Sequence, residues 1–337
     1  MTEMTVLNGV AIEELLTIPM AVEAVEQAYL EKSKGDAALW PMVFHEFDPG
    51  HADLDIKSGD LDGLGFYGLK VVSWFGANPG KGLPALYGTS LLFDLATGAP
   101  RALLNAGPIT DFRTGAAGAI GAKYLARPDA ETLLMAGTGA LAPYLIAAAL
   151  YLLPQIKTVY VTNPHHPECS AAACEAITPQ VEKLLSGCGG CHAAIAAAPD
   201  LEKAVRHSDV ILTATPAREP FIKAEWVQPG THISCVGADM SGKQEVDSAL
   251  FASAKVFGDD TAQCLSVGEC EVPYKAGVFS GHICEIGGVI SGAEAGRTDA
   301  SDITIFDSTG IALQDIATAA ALLQAAQETG KGQAVTL

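Results

Sequence analysis

The amino-acid sequence predicts an α/β fold centred on a Rossmann-type, doubly wound parallel sheet, and three features carry that reading. From residue 132 onward, short apolar strands alternate with alanine-rich helical segments, the order that a parallel sheet covered on both faces requires. The first of these strands runs directly into a glycine turn that opens a helix. Ahead of Asp111 the texture differs. Alternating strands separated by Gly, Pro, Asn and Asp point there to a small, mostly antiparallel sheet.

Residues 11–33 read as one amphipathic helix, because Ile12, Leu15, Leu16, Ile18, Val22, Val25 and Tyr29 recur at helical spacing. Segments near 42–47, 52–57, 67–75 and 86–93 read as strands, with turns at Asp48-Pro-Gly, Ala77-Asn-Pro-Gly and Ala96-Thr-Gly. A helix rich in Ala and Gly follows over 113–126. Thr132-Leu-Leu-Met-Ala-Gly137, an apolar helix to about Leu153 and the strand Thr158-Val-Tyr-Val-Thr162 form one βαβ unit. Further strands fit at 209–214 and 231–236, with Lys255-Val-Phe-Gly as a weaker one. A last helix over 310–327 carries the stripe Ile311, Leu313, Ile316, Ala317, Ala320 and Leu323, and is expected to return onto the N-terminal domain.

A chain of 337 residues accommodates two domains. Its 49% hydrophobic and 18% charged residues allow a large core and argue against disorder. The formal charge of −19 repels phosphate backbones and anionic lipid surfaces, so nucleic acid and membrane are excluded as partners. No apolar run reaches the length of a membrane span. The start, Met-Thr-Glu-Met-Thr, is acidic and lacks the apolar core of a signal peptide. A cytoplasmic protein with free thiols is expected from this and from eight cysteines. Cys188-Gly-Gly-Cys191-His192 has no second cysteine pair to complete a zinc site, so no metal is expected.

Gly137-x-Gly139-x-x-Ala142 follows an apolar strand, opens a helix and precedes a second strand that ends about 20 residues later, the setting of a dinucleotide site. Gly137 permits the tight turn, Gly139 lets a pyrophosphate approach the backbone, and Ala142 lets the helix pack closely. The helix N-terminus adds partial positive charge that an acidic protein otherwise lacks. The cofactor is therefore NAD or NADP. The second strand ends Thr162-Asn163-Pro164-His165-His166, without an acid to hold a ribose 2′-hydroxyl. The Asn163 amide and the two histidines lean the expectation towards NADP.

Eight motifs then occur in order: Gly68-Leu-Lys70-Val-Val, Asn78-Pro-Gly-Lys-Gly-Leu-Pro84, Phe93-Asp-Leu-Ala-Thr-Gly98, Thr110-Asp-Phe-Arg113-Thr-Gly-Ala-Ala117, Ala122-Lys-Tyr-Leu-Ala126, Gly137-Thr-Gly-Ala140, Gly237-Ala-Asp239-Met-Ser-Gly-Lys243-Gln-Glu245 and Thr304-Ile-Phe-Asp-Ser-Thr-Gly310. Together they resemble the ornithine cyclodeaminase/mu-crystallin family across nearly the whole chain. The resemblance implies a split α+β domain, 1–112 plus 305–337, that binds substrate and dimerises. A Rossmann domain, 113–304, is inserted in it, with the active site at the carboxyl ends of the parallel strands.

The same resemblance implies residue roles. Lys70 is the catalytic, substrate-binding lysine. It lies in an apolar run whose burial would depress its pKa towards neutrality. Arg113 holds a substrate carboxylate or a cofactor phosphate, and Asp239 is the second catalytic candidate. Cofactor contacts are expected from Arg113, Thr114, Gly137, Gly139, Ala140, Asn163, Thr213, Gly237 and Gly310. Two departures matter. Met42 stands near the place of an early-strand arginine that grips the α-carboxylate in ornithine cyclodeaminases, and Lys57 supplies the nearest cation instead. Leu141 replaces a glutamine after the glycine turn. This pattern implies an NAD(P)-dependent reductase of a small 2-imino acid, or the reverse amino-acid dehydrogenase. A cyclodeaminase of the ornithine or lysine type with recycled NAD is the first alternative. A small-ligand binding protein of mu-crystallin type that holds NADP is the second. The expected partners are a small amino or imino acid and a second copy of the chain.

Overall fold

The computed structural model describes residues 3–188 and 193–336. It divides into two compact units, Met1–Arg113 with Ile311–Leu337, and Thr114–Gly310.

The first unit opens with β1 (Glu3–Leu7), α1 (Gly9–Leu15) and α2 (Ile18–Lys34). The single helix expected over 11–33 is thus two. Leu16 adopts extended backbone, and the Thr17 hydroxyl accepts from Met20 N to start α2, with Pro19 in its first turn. A side-chain cap and an early proline are strong start signals; the apolar spacing continued through the break and masked them. Next come β2 (Ala37–Leu39), β3 (Val43–Asp48), β4 (Ala52–Leu61), β5 (Phe66–Phe75), β6 (Leu86–Asp94) and β7 (Pro100–Asn105). Helix α3 (Ala106–Leu125) begins well before residue 113, with Pro108 in its first turn.

The second unit alternates strand and helix: β8 (Thr132–Ala136), α4 (Ala142–Leu152), β9 (Thr158–Thr162), α5 (Ser170–Leu185), β10 (Ala194–Ala197), α6 (Leu201–Arg206), β11 (Val210–Thr213) and β12 (His232–Cys235). It continues with β13 (Lys255–Gly258), α7 (Thr261–Val267), α8 (Glu271–Lys275), β14 (Cys284–Glu285), α9 (Ile286–Ser291) and β15 (Thr304–Asp307). The order β10-β9-β8-β11-β12-β15-β13-β14 is parallel throughout. The chain winds outward from β8 to β10, then crosses to β11, so the switch point lies at the carboxyl ends of β8 and β11. Leu133–Ala136 and Val210–Thr213 are fully enclosed, which is why these strands read as unbroken apolar runs. Strand β10, Ala-Ile-Ala-Ala, has helix-forming composition and escaped the sequence reading. Asp239 therefore follows the fifth strand of this sheet in chain order.

The chain then returns to the first unit as α10 (Ala312–Thr329) and β16 (Gln333–Thr336). The sheet order there is β16-β1-β7-β6-β5-β4-β2, with β3 also on β4. It is antiparallel except where β1 meets β7. Helix α10 packs on α2 and on β4, β5 and β6. Bare backbone at Gly59 and Gly68 admits it: a Cβ at these positions would stand 3.1 Å from Leu313 Cδ2 and 3.4 Å from Ile316 Cγ1. Among the described residues the cysteines are free thiols. Cys188 is among these, whereas Cys191 and His192 lie outside the described residues.

Candidate active site

Lys70 on β5 pairs across the sheet with Lys57 on β4 and Ser90 on β6. Residues directly opposite in antiparallel strands share a face, and this is the face that α10 covers. Lys70 is only 3% exposed. Its Nζ lies 3.0 Å from both carboxylate oxygens of Asp315 and 3.3 Å from Thr110 Oγ1. Thr110 and Arg113 sit one turn apart on α3, so they face the same way. Arg113 is also buried; its Nε donates to Asp315 Oδ1 at 3.2 Å and its Nη1 to Gln314 Oε1 at 3.0 Å. Gln314 Nε2 in turn donates to the Tyr29 hydroxyl of α2 at 2.8 Å. The Ser90 hydroxyl is buried without a hydrogen-bond partner among the described residues.

These charges set one another's ionisation. Burial pulls the Lys70 ammonium down to about 8; Asp315 opposes the fall, while Arg113 and Lys57 add to it. Burial also disfavours the Asp315 charge, yet Lys70, Arg113 and Lys57 outweigh that and hold its carboxyl below the usual value. Half-buried Asp111 is pushed up to about 6 by burial, with Arg113 and Lys70 opposing and Glu13 reinforcing the rise. Asp315, Gln314, Thr110 and Asp111 were not singled out as site residues in the sequence. The one available signal was Gln314-Asp315 interrupting the face of an otherwise apolar helix.

The second unit supplies a backbone site. Gly137 has φ +128°, and a Cβ there would stand 2.5 Å from the Ala214 carbonyl oxygen. Only glycine fits this position. At Gly139 a Cβ would meet nothing within 4 Å, and Ala140 is exposed, so the turn presents open backbone. Helix α4 begins just beyond, with no side-chain cap on its first N–H groups. An uncapped helix start behind open glycine backbone fits the pyrophosphate of a dinucleotide. Asn163, at the end of β9, ties that strand to the turn: its Nδ2 donates to Thr138 Oγ1 at 3.0 Å, and its Oδ1 accepts from His165 N and His166 N.

Other expected cofactor contacts have internal roles. The Thr213 hydroxyl is fully buried and donates to Glu245 Oε2 at 2.7 Å, and Gly237 N donates to the same oxygen at 2.9 Å. Thr215 adds its N–H and hydroxyl to Glu245 Oε1. These groups therefore cradle a buried carboxylate that arrives from the loop after β12. Gly310 N donates to Asp259 Oδ2 at 2.9 Å. Thr114 is buried in α3. Asp239 is half exposed and ion-paired with Lys243.

The comparisons with known proteins agree with this architecture. The model of the ornithine cyclodeaminase/mu-crystallin family matches residues 2–330. The chain belongs to that family. Among solved members, an archaeal alanine dehydrogenase dimer with bound NAD is 35% identical, with 99% of each chain covered and a TM-score of 0.86. The iminosuccinate reductase of Paracoccus denitrificans in complex with NAD+ is 32% identical, covering 99% of this chain and 100% of its own, with a TM-score of 0.89. The Δ1-pyrroline-2-carboxylate reductase of Thermococcus litoralis with NADH and L-proline is 31% identical, covering 98% and 99%, with a TM-score of 0.85. The family members most like this chain thus include oxidoreductases of C=N or CH–NH2 bonds that bind a nicotinamide dinucleotide.

Proposed function

We propose that this protein is an NAD(H)-dependent reductase of small 2-imino acids, run in reverse as an amino-acid dehydrogenase. The observation that carries the proposal is the buried cluster of Lys70 and Arg113 on Asp315, with Lys57 beside it. Lys57 and the guanidinium of Arg113 bind the substrate carboxylate, Arg113 with the directional donors that Lys57 lacks. The nicotinamide dinucleotide, when bound, supplies or accepts the hydride at the substrate Cα. Lys70 gives its Nζ proton to the substrate nitrogen as that carbon is reduced, and regains it from solvent. The open backbone of Gly137–Ala140 and the start of α4 hold the pyrophosphate, and Asn163 fixes the far side of that turn.

Within the nicotinamide cofactors we read NAD(H) as preferred over NADP(H). His166 Nδ1 lies 3.3 Å from the Glu168 carboxylate just past β9, where both are exposed, and an acid there opposes a 2′-phosphate. The relatives solved with NAD or NADH support the same reading. The free thiols support a cytoplasmic enzyme. A homodimer is supported by the archaeal dimer and by exposed apolar side chains along β3, β5 and β6, among them Phe47, Phe75 and Leu86. Phe47 stacks on Phe75 with ring centroids 5.8 Å apart.

The test is an absorbance screen of 2-oxo acids with ammonia or methylamine, using NADH and NADPH in parallel. Consumption of NADH with a small substrate is the expected result. Proline formed from L-ornithine with catalytic NAD assigns a cyclodeaminase instead. Tight cofactor binding without turnover on any imino acid assigns a binding protein.

A further inference from the structure

Asp315 is enclosed on α10 and touches both buried cations of the cluster. A buried charge persists only beside a counter-charge, and here one carboxylate serves two. The surrounding charged groups come from each packed element: Lys57 on β4, Lys70 on β5, Asp111 and Arg113 on α3, and Glu13 on α1 acting on Asp111. Thr110 Oγ1 already donates to the Ala106 carbonyl at 2.8 Å, so towards Lys70 it can only accept. Both hydrogen-bond partners of Lys70, Thr110 and Asp315, are therefore acceptors. The pocket thus suits an ammonium, since each of these bonds runs from Lys70 to an acceptor.

We propose that Asp315 is a positioning residue that binds Lys70 and Arg113 into one ion cluster and keeps a proton on Lys70 for transfer to the substrate. Its link to catalysis rests on the reductase reading above; its hold on the Lys70 proton does not. With Lys57 beside them, the two cations on one carboxylate leave an excess of positive charge that a substrate carboxylate offsets. Without Asp315, Lys70 is enclosed beside Arg113 and Lys57 and keeps only the neutral Thr110 hydroxyl as a hydrogen-bond partner, so its proton is held more weakly.

The experiment follows the 13Cε resonance of Lys70 against pH in lysine-labelled full-length protein, assigned by its loss in Lys70→Arg. In Asp315→Asn the midpoint falls by roughly one pH unit or more, and Asp315→Glu restores it to within about half a unit. The basic limb of kcat/KM moves by the same shift. A lowered kcat with both midpoints unmoved would show a merely structural role and overturn the proposal. If Asp315→Asn does not fold, Asp315→Asn/Arg113→Gln removes a cation together with the carboxylate. A Lys70 midpoint below wild type in that variant supports the proposal, and an unchanged one overturns it. Failure to reduce any imino acid would sink the reductase reading, while a shifted Lys70 titration still supports the role of Asp315.

Discussion

In the first unit the charged groups of the site come from residues as far apart as Lys70 and Asp315, 245 positions along the chain. In the second, the cofactor turn is the unbroken run Gly137–Leu141 between β8 and α4. One site is made of side chains whose ionisation depends on their mutual burial. The other is made of backbone and depends on side chains being absent. The two therefore fail differently: loss of charge in the first changes turnover and its pH dependence, whereas added bulk in the second changes binding.

Lys70→Met is the sharpest way to break the first site alone. Turnover falls by roughly 10²–10⁴-fold, the range of a lost general acid, while calorimetry shows dinucleotide affinity close to wild type. Near-normal turnover would remove Lys70 from the chemistry. Gly139→Val breaks the second site alone. The protein folds, because the added side chain meets open space, but dinucleotide binding weakens by about 100-fold, near 3 kcal/mol. The Lys70 titration in that variant stays at its wild-type midpoint; a shifted midpoint would show that the two sites are not separable.

The pH dependence sharpens the comparison. Lys70 acts as an acid only while protonated, so kcat/KM for imine reduction declines as pH rises through about 8. A profile flat to pH 10 would mean that another group supplies the proton. The smallest effect is on stability. Burial pushes Asp307 up to about 7, with Asp259 adding to the rise and the backbone N–H of Cys270 opposing it. A raised acid binds more protons folded than unfolded, so its contribution is fullest below the ordinary carboxylate value and is lost as pH rises through 7. Asp307→Asn removes that loss. Its melting temperature at pH 8 exceeds that of wild type by a few degrees, about 2–4 °C for each kcal/mol, and the two proteins converge near pH 4. Equal melting curves at both pH values would show that Asp307 remains ionised when buried.

The same contrast explains what could be read in advance. Strands β8 and β11 were legible because they are buried on both faces and almost entirely apolar, and β9 and β12 because β-branched residues such as Val159, Val161 and Ile233 mark them. The glycine turn was legible because its requirements are local. Strands β1, β15 and β16 take their strand character from partners distant in sequence, such as Glu3 opposite Thr336 and Thr304 opposite His232. Lys70 stood out as a cation inside an apolar strand, but nothing near it in sequence announces Asp315. Thr213 and Gly237 lie at strand ends, where cofactor contacts are expected. The carboxylate of Glu245 that engages them arrives through tertiary folding alone.

The split of the first unit also sets an order of events during synthesis. At about 5–20 residues per second, Asp315 follows Lys70 out of the ribosome by roughly 10–50 s, given their separation of 245 residues. Thr114–Gly310, by contrast, is complete before Ile311 is added. Until α10 emerges, the sheet face at Gly59 and Gly68 is bare, and Lys70 and Arg113 have no carboxylate to share. A nascent chain halted before Ala312 thus carries a lysine that cannot be buried with its charge. Such a fragment fails by unfolding of the first unit and exposure of its apolar face, a state that chaperones and proteases recognise, before it can persist as a poorly active enzyme.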